Sequence, residues 1–99
     1  MSNGVIRIIN NRKYKSLSTH MKFALNTHKT YEQFLIITLV NEQGNISFEI
    51  KDNEKITKLD NPESGTYTIP LSKASKVWLF INSSSACGSY KIQTKTIKE

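Results

Sequence analysis

The sequence predicts an all-β domain, a two-sheet antiparallel sandwich of jelly-roll-like form with seven or eight strands. Apolar and polar residues alternate over most of the chain, which is typical of half-buried strands. Clusters of Gly, Pro, Asn and Ser separate the apolar segments at short intervals, which indicates turns. The length of 99 residues suits one domain, so a single β-sandwich domain is expected over 1–99.

The first two segments differ in how clearly they predict a strand. Residues 5–9 are rich in β-branched side chains, which favours a strand. In residues 17–28, the alternation of Met21, Phe23 and Leu25 also favours a strand. The apolar residues of the same segment fit a helical stripe with a serine cap as well. The strand is preferred, and a short helix in 17–28 stays open as the alternative.

The middle of the chain contains the strongest strand signal. Residues 34–40 are almost entirely apolar, and 46–51 alternate strictly between apolar and polar side chains. The segment between them, 41–45, has the composition of a turn, and Gly44 can take a positive φ. These two strands are therefore expected to form a hairpin.

The remaining elements follow the same logic. Pro70 lies inside an alternating run, which indicates an edge strand or a strand end. The predicted order is a weaker strand at 56–59, a turn at 60–65, a strand at 67–71, a polar connection at 73–76, a strong strand at 77–81, a loop at 83–88 and a last strand at 90–94.

The two strongest strands, 34–40 and 77–81, are apolar on both faces. A strand in a two-sheet sandwich is expected to be apolar on one face only. A helix, a loop or another molecule must therefore cover the second face. If nothing in the chain covers Trp78 and Phe80, they would form a binding surface for a protein partner or for a second copy in a homo-oligomer.

The formal charge of +6 is unevenly distributed. Residues 1–30 contain six basic side chains and no acid, which is a pattern found in proteins that bind anionic polymers. The alternative interpretation is an ordinary solvated surface. Five of these residues are the candidates for binding a nucleic acid or another anionic partner: Arg7, Arg12, Lys13, Lys15 and Lys22. The excess of Lys over Arg is typical of an AT-rich genome and suggests a bacterial or phage origin.

No pattern in the sequence indicates catalysis. The chain has no Gly-x-Ser-x-Gly motif, no phosphate-binding glycine loop and no zinc-type spacing of its two histidines. Cys87 is the single cysteine, so an internal disulfide is excluded and no role is assigned to it. We therefore expect a protein that is not an enzyme and has no catalytic residue, cofactor or metal.

The sequence contains neither an apolar leader segment nor a membrane span. The longest apolar run is about a third of the length that a span requires. As written, the chain is expected to be soluble and cytoplasmic, or secreted if a leader has been removed. The sequence does not decide between these compartments.

Aromatic residues also suggest carbohydrate binding. Trp78, Tyr67 and Tyr90 would supply a flat platform, and the polar residues 82–85 would supply hydrogen-bonding groups at its edge. The alternative is that these aromatic side chains belong to the core. Together with Phe80, they complete the set of partner-binding candidates.

Three segments in the second half of the chain carry a family resemblance: ISFEIKDNEKIT, SGTYTIPL and KVWLFINSSSACGSYKIQTKTI. Their order of strands resembles that of small bacterial β-sandwich modules of the pre-peptidase C-terminal type. The resemblance implies a jelly-roll-like sandwich with an accessory role, such as binding a surface, a polymer or a partner. No functional residue is carried over from it.

These observations rank three functions. The first is a non-catalytic binding or assembly module that binds protein or itself around Trp78. The second is a carbohydrate or cell-surface binding module, and the third is a binder of nucleic acid or another anionic polymer through the basic first third. The sequence alone does not identify the ligand or the oligomeric state.

Overall fold

Five β-strands form the protein in the computed structural model, which describes residues 3–98. They are β1 (Asn3–Asn26), β2 (Glu32–Asp52), β3 (Lys55–Asp60), β4 (Gly65–Leu71) and β5 (Lys76–Lys98). All pairings are antiparallel, in the order β1-β5-β2-β3, and β4 also pairs with β2. The prediction of an all-β, antiparallel fold is confirmed, whereas the predicted number of seven or eight strands is not, because the structure has five. The segment 17–28 is strand as far as Asn26, as preferred, and contains no helix.

Strands β1, β2 and β5 are too long to be straight. A regular strand of 24 residues would span about 80 Å, whereas the longest dimension of the molecule is 41 Å. Each long strand contains a residue with positive φ near its middle, namely Ser16, Gly44 and Ser85. The pairing registers are irregular at the same places, as expected for β-bulges. The sheet therefore bends across its middle.

The bend divides the sheet into two halves. The β4 half contains β4 and the segments that lie beside it: 3–14, 32–41 and 88–98. The β3 half contains β3 and the segments 17–26, 45–52 and 76–86. Phe48 of the β3 half contacts Tyr90 of the β4 half edge to face, with ring centroids 6.3 Å apart. The inner faces of the two halves therefore pack against each other.

The core lies between these two inner faces. Burial alternates with period two along β2 and β5, so every second side chain points into the core. The largest fully buried side chains are Phe48, Leu35, Ile37, Leu39, Ile46, Ile50, Leu79, Ile81, Ile92 and Val77. They come from both halves, which explains why one bent sheet is able to bury a core.

The predicted hairpin between 34–40 and 46–51 is wrong. Residues 41–45 do contain a positive φ at Gly44, but the chain continues as one strand, and both segments pair with β5 instead of with each other. The predicted loop at 83–88 is likewise part of β5. Turn-type residues produced bulges here because a continuous partner strand holds the backbone extended on both sides of them.

A buried polar network joins the β1–β2 turn to the β4–β5 turn. Asp52 is 3% exposed and accepts hydrogen bonds from Ser75 Oγ at 2.6 Å and from the Ser72 backbone N–H at 2.7 Å. The Ser75 N–H donates to Thr27 Oγ1 at 2.7 Å, and the Thr27 N–H donates to the Ser75 carbonyl at 2.8 Å. Both turns at this end of the molecule are therefore held by one carboxylate and two hydroxyl groups.

Among residues 3–98, the structure has no helix of the length and apolar character needed to cross a membrane.

Candidate functional site

Trp78 and Phe80 lie on the outer face of the β3 half. Their neighbours Val77, Leu79 and Ile81 are fully buried, so the strand alternation directs Trp78 and Phe80 away from the core. Both aromatic side chains are half-buried. The strand is thus apolar on both faces, as the sequence indicated, and something other than the core shields its outer side.

Lysine side chains supply that shielding. The Nζ atoms of Lys22 and Lys76 each lie 4.9 Å from the centroid of the Trp78 ring, and Lys51 Nζ lies 5.1 Å from the centroid of Phe80. An ammonium group within about 6 Å of an aromatic centroid is attracted by the ring quadrupole. The methylene groups of the same side chains cover apolar surface while the charge stays in water. We call this surface, made of these five residues, the Trp78 face.

Strand register places these groups together. Trp78 lies opposite Ala24 of β1 and Lys51 of β2. Because the Ala24 side chain is small, it leaves room beside the indole ring. On the same outer surface, the Glu49 carboxylate forms ion pairs with Lys51 (Nζ to Oε2, 3.8 Å) and with Lys58 (Nζ to Oε1, 3.7 Å). One carboxylate is shared by two ammonium groups, so positive charge prevails around the aromatic pair.

Displacing the lysine side chains from Trp78 and Phe80 would cost little free energy. An exposed cation–π contact contributes about 0.5–1 kcal/mol, and exposed ion pairs of the kind made by Glu49 contribute about 0.2–1 kcal/mol. A partner that offers carboxylates to the lysines would replace these weak contacts and gain the apolar area of Trp78 and Phe80. The arrangement therefore suits an anionic partner with apolar groups beside its charges.

The other two aromatic candidates lie elsewhere. Tyr90 is 3% exposed and packs in the core, with its ring centroid 5.8 Å from that of Tyr14. Tyr67 is half-buried against the core, and its hydroxyl donates a hydrogen bond to the Glu63 carbonyl. Neither contributes to the outer surface around Trp78.

The five basic candidates all lie on β1 and are exposed, but the bend at Ser16 separates them. Lys22 follows the bend and belongs to the Trp78 face. Arg7, Arg12 and Lys13 precede the bend and lie along the β4 half, and Lys15 lies at the bend itself, next to Ser16. The structure thus joins one predicted basic residue to two predicted aromatic residues and leaves the rest apart.

Sequence reasoning missed Lys76 and Lys51. Lys76 is two residues before Trp78 in the same strand, so the period-two rule would have placed it on the same face. Lys51 is opposite Trp78 through the pairing of β2 with β5. That pairing joins segments far apart in the chain, and no local signal in the sequence specifies it.

Two buried tyrosines have altered titration. Burial raises the pKa of Tyr14, and the neighbouring Tyr90 and Cys87 raise it further. Burial also raises the pKa of Tyr90, although the nearby Arg12 partly offsets this effect. Both phenols therefore stay protonated at neutral pH and act as core residues with a polar end.

Cys87 and His28 lie at different places in the fold. Cys87 pairs with Gln43 at the bend, whereas His28 lies in the β1–β2 turn, where its Nδ1 accepts a hydrogen bond from the Thr30 N–H at 3.0 Å. Within the described range 3–98, no group of three or more His, Cys, Asp or Glu side chains is arranged to hold a metal ion.

The lysines should make the surroundings of Trp78 attractive to anions. Trp78 is the single tryptophan, so its fluorescence reports on this site alone. We expect iodide to quench it several-fold more strongly than caesium at low ionic strength, because Lys22 and Lys76 concentrate anions there. The double variant Lys22→Glu/Lys76→Glu should reverse this preference, while Lys29→Glu/Lys73→Glu, in the exposed turns, should leave it nearly unchanged. Equal quenching of the wild-type protein by both ions would contradict the arrangement.

No protein-family model and no curated protein matches this chain.

Proposed function

We propose that the protein is a non-catalytic, protein-binding module whose partner docks on the Trp78 face. The partner presents acidic side chains to Lys22, Lys51 and Lys76 and buries Trp78 and Phe80. One observation carries the proposal: two aromatic side chains stand on the outer face of the sheet, with lysine ammonium groups 4.9–5.1 Å from their ring centroids.

The energetics of interfaces support this assignment. Aromatic anchors near the centre of an interface commonly cost about 2 kcal/mol or more when truncated. Charged rims contribute less to affinity but steer association and select the partner. The Trp78 face has both parts, because two half-buried aromatic rings lie beside ammonium groups from three strands.

Carbohydrate binding has less support from the geometry. A sugar platform needs several open aromatic faces, and two of its three candidates, Tyr67 and Tyr90, point toward the core. The third, Trp78, has the ammonium groups of Lys22 and Lys76 close to its ring. A protein surface with carboxylates fits these neighbours better than a neutral sugar does.

Nucleic-acid binding and self-association through this face also have less support. A nucleic-acid surface combines bases stacked on aromatic rings with a continuous basic track, whereas the bend separates most of the predicted basic residues from Trp78. A second copy docked face to face would place lysines against lysines, and like charges brought together in an interface are unfavourable.

The same proposal includes the architecture. Each of the long strands β1, β2 and β5 contributes one segment to each half. Together with β3 and β4, these segments form a jelly-roll-like sandwich around the core between the halves. This architecture agrees with the accessory role that the resemblance to pre-peptidase C-terminal modules implies. It also explains why the binding surface lies on an outer face, since both inner faces are used by the core.

A random copolymer of glutamate and tyrosine serves as the first probe, because it combines carboxylates with aromatic groups. We expect selectively excited Trp78 fluorescence to change on titration with this copolymer at low salt. Trp78→Ala, followed by anisotropy of labelled copolymer, should weaken binding by about 30-fold, the equivalent of 2 kcal/mol. Lys22→Glu/Lys76→Glu should weaken it at least as much, and Lys29→Glu/Lys73→Glu should not.

Two parallel titrations distinguish the other functions. Stronger Trp78-dependent binding of polygalacturonate would favour the carbohydrate function, and stronger binding of a single-stranded oligonucleotide would favour the nucleic-acid function. Copolymer binding that Trp78→Ala leaves intact would refute the Trp78 face as the docking site. Circular dichroism of each variant verifies that the fold is retained.

A further inference from the structure

The first segment of β1 is an open sheet edge. Among residues 3–98, β1 pairs with β5 on one side, so alternate backbone N–H and C=O groups on its other side are available to a further strand. The register between Asn3 and Ile8 is regular, and the first irregularity falls between Ile8 and Asn10. A straight strand edge of about six residues is thus present.

Exposed apolar side chains concentrate on this edge. Five large hydrophobic side chains of the described residues are exposed, and three of them are Val5 (48%), Ile6 (56%) and Ile8 (53%). Proteins usually protect edge strands with charge, proline, bulges or short length. In 4–8, Arg7 is the single charged residue.

The opposite edge of the same half is protected. It is formed by β4, which has seven residues and contains Pro70. The part of β1 that leads into the bend is also protected, because it contains two further register shifts and the charges of Arg12, Lys13 and Lys15. Within the β4 half, protection is therefore missing at one place, the segment 4–8.

We propose that two copies of the protein associate through this segment, so that β1 of one copy pairs antiparallel with β1 of the other across a two-fold axis. The axis passes beside Ile6, which faces Ile6 of the second copy. Ile8 then faces Gly4, and Val5 faces Arg7. The two sheets join into one continuous sheet through an isologous contact.

This register is favoured by side-chain size and charge. Gly4 has no side chain, and the methylene groups of Lys95 fill the place that a side chain would take, so the opposing Ile8 meets an apolar contact there. Shifting the two-fold axis to Arg7 would set two guanidinium groups opposite each other, which is destabilising. Shifting it to Ile8 would run the pairing through the irregularity between Ile8 and Asn10.

Sedimentation equilibrium tests the dimer directly. We expect the wild-type protein to show a reversible monomer–dimer equilibrium. Ile6→Lys, which places two ammonium groups across the axis, should raise the dimer dissociation constant by about tenfold or more. Ile56→Lys is the matched control, since Ile56 is 53% exposed but lies on β3, and it should leave the equilibrium unchanged.

Disulfide trapping tests the register. Directly opposed residues of an antiparallel pair have Cα atoms about 4.5–5.5 Å apart, which a disulfide can bridge. In a Cys87→Ser background, Ile6→Cys should form a linked dimer at least about tenfold faster than Ile56→Cys, because pairing raises the effective thiol concentration. A wild-type protein that stays monomeric at high concentration without preferential trapping would overturn the proposal. So would a dimer that Ile6→Lys leaves intact. Both results are independent of the Trp78 face.

Discussion

Replacing Asp52 by asparagine is expected to lower the free energy of unfolding by about 2–3 kcal/mol. The introduced side-chain amide keeps one oxygen that accepts from the Ser72 N–H, but its NH2 group would face the Ser75 hydroxyl, which donates to the carboxylate in the wild-type protein. The hydroxyl would have to reverse and accept, which leaves its proton the longer contact with Asn53 Oδ1 at 3.3 Å, so a charge-assisted buried hydrogen bond is replaced by a weaker neutral one. Urea denaturation followed by circular dichroism measures the change.

The pH dependence gives a second measure of the same carboxylate. Burial alone would raise the pKa of Asp52, but hydrogen bonds from Ser75 and Ser72 and the charge of Lys55 outweigh it, so the pKa is lowered from its ordinary value. A lowered pKa in the folded state stabilises the fold above the unfolded-state value. This stability is present at neutral pH and is lost as pH falls below about 4, through the folded-state pKa.

Asp60→Asn is the control for both measurements, because Asp60 is exposed and accepts one hydrogen bond, from Ser47 Oγ at 3.0 Å. Its cost should stay within about 0.5 kcal/mol. The Asp52→Asn variant should also lose less stability than the wild-type protein between pH 5 and pH 3. An Asp52→Asn variant as stable as the wild-type protein would show that the network does not hold the two turns.

Gly88→Ala is expected to be strongly destabilising, because position 88 lies where β5 approaches the backbone of β2 closely. A Cβ atom at position 88 would meet the Val40 carbonyl oxygen of the neighbouring strand at 1.8 Å, and the backbone φ of +150° is one that side chains rarely adopt. Backbone atoms would have to move apart. We expect a loss of about 3 kcal/mol or more, which lowers the melting temperature by at least about 12 °C.

Gly65→Ala separates the two causes. Its φ is similar, at +157°, but a Cβ atom there would have no neighbour within 4 Å. The Gly65 variant should therefore be several-fold less destabilised than the Gly88 variant in calorimetry. Equal losses would mean that backbone conformation, and not the close approach of β2 and β5, makes glycine necessary at position 88.

The sequence was sufficient to predict which segments are extended. The apolar run at 34–40, the alternation at 46–51 and the strong segment at 77–81 are all strand in the structure, and the turn at 60–65 separates β3 from β4. Period two identifies a strand because it reflects the geometry of the strand itself. It needs no information about the neighbouring strand.

The continuity of the long strands was not predictable in the same way. Residues 10–13 are polar and lack alternation, yet they are strand because they pair with β5. Residues 41–45 suit a hairpin turn or a bulge equally well. The choice between them depends on which distant segment lies alongside, and local composition does not contain that information.

The candidate site was predicted in part. Trp78 and Phe80 were singled out because they make a strong strand apolar on its second face, and the structure places them on an outer face. Their lysine neighbours come from three strands, so recognising them required the registers of β1 and β2 with β5. Tyr67 and Tyr90 were grouped with them by residue type alone, and their strand positions direct them inward.

The order of pairing along the chain bears on how quickly the protein reaches its native state. The closest partners in sequence are Asp52 and Lys55, at the β2–β3 turn, whereas β1 must find β5 across separations that reach from Asn26–Lys76 to Asn3–Lys98. Closing such large loops is entropically costly before any contact is gained, so topologies of this kind fold in milliseconds to seconds rather than microseconds. During that interval β1 has no neighbour, and its apolar start is exposed to other nascent chains.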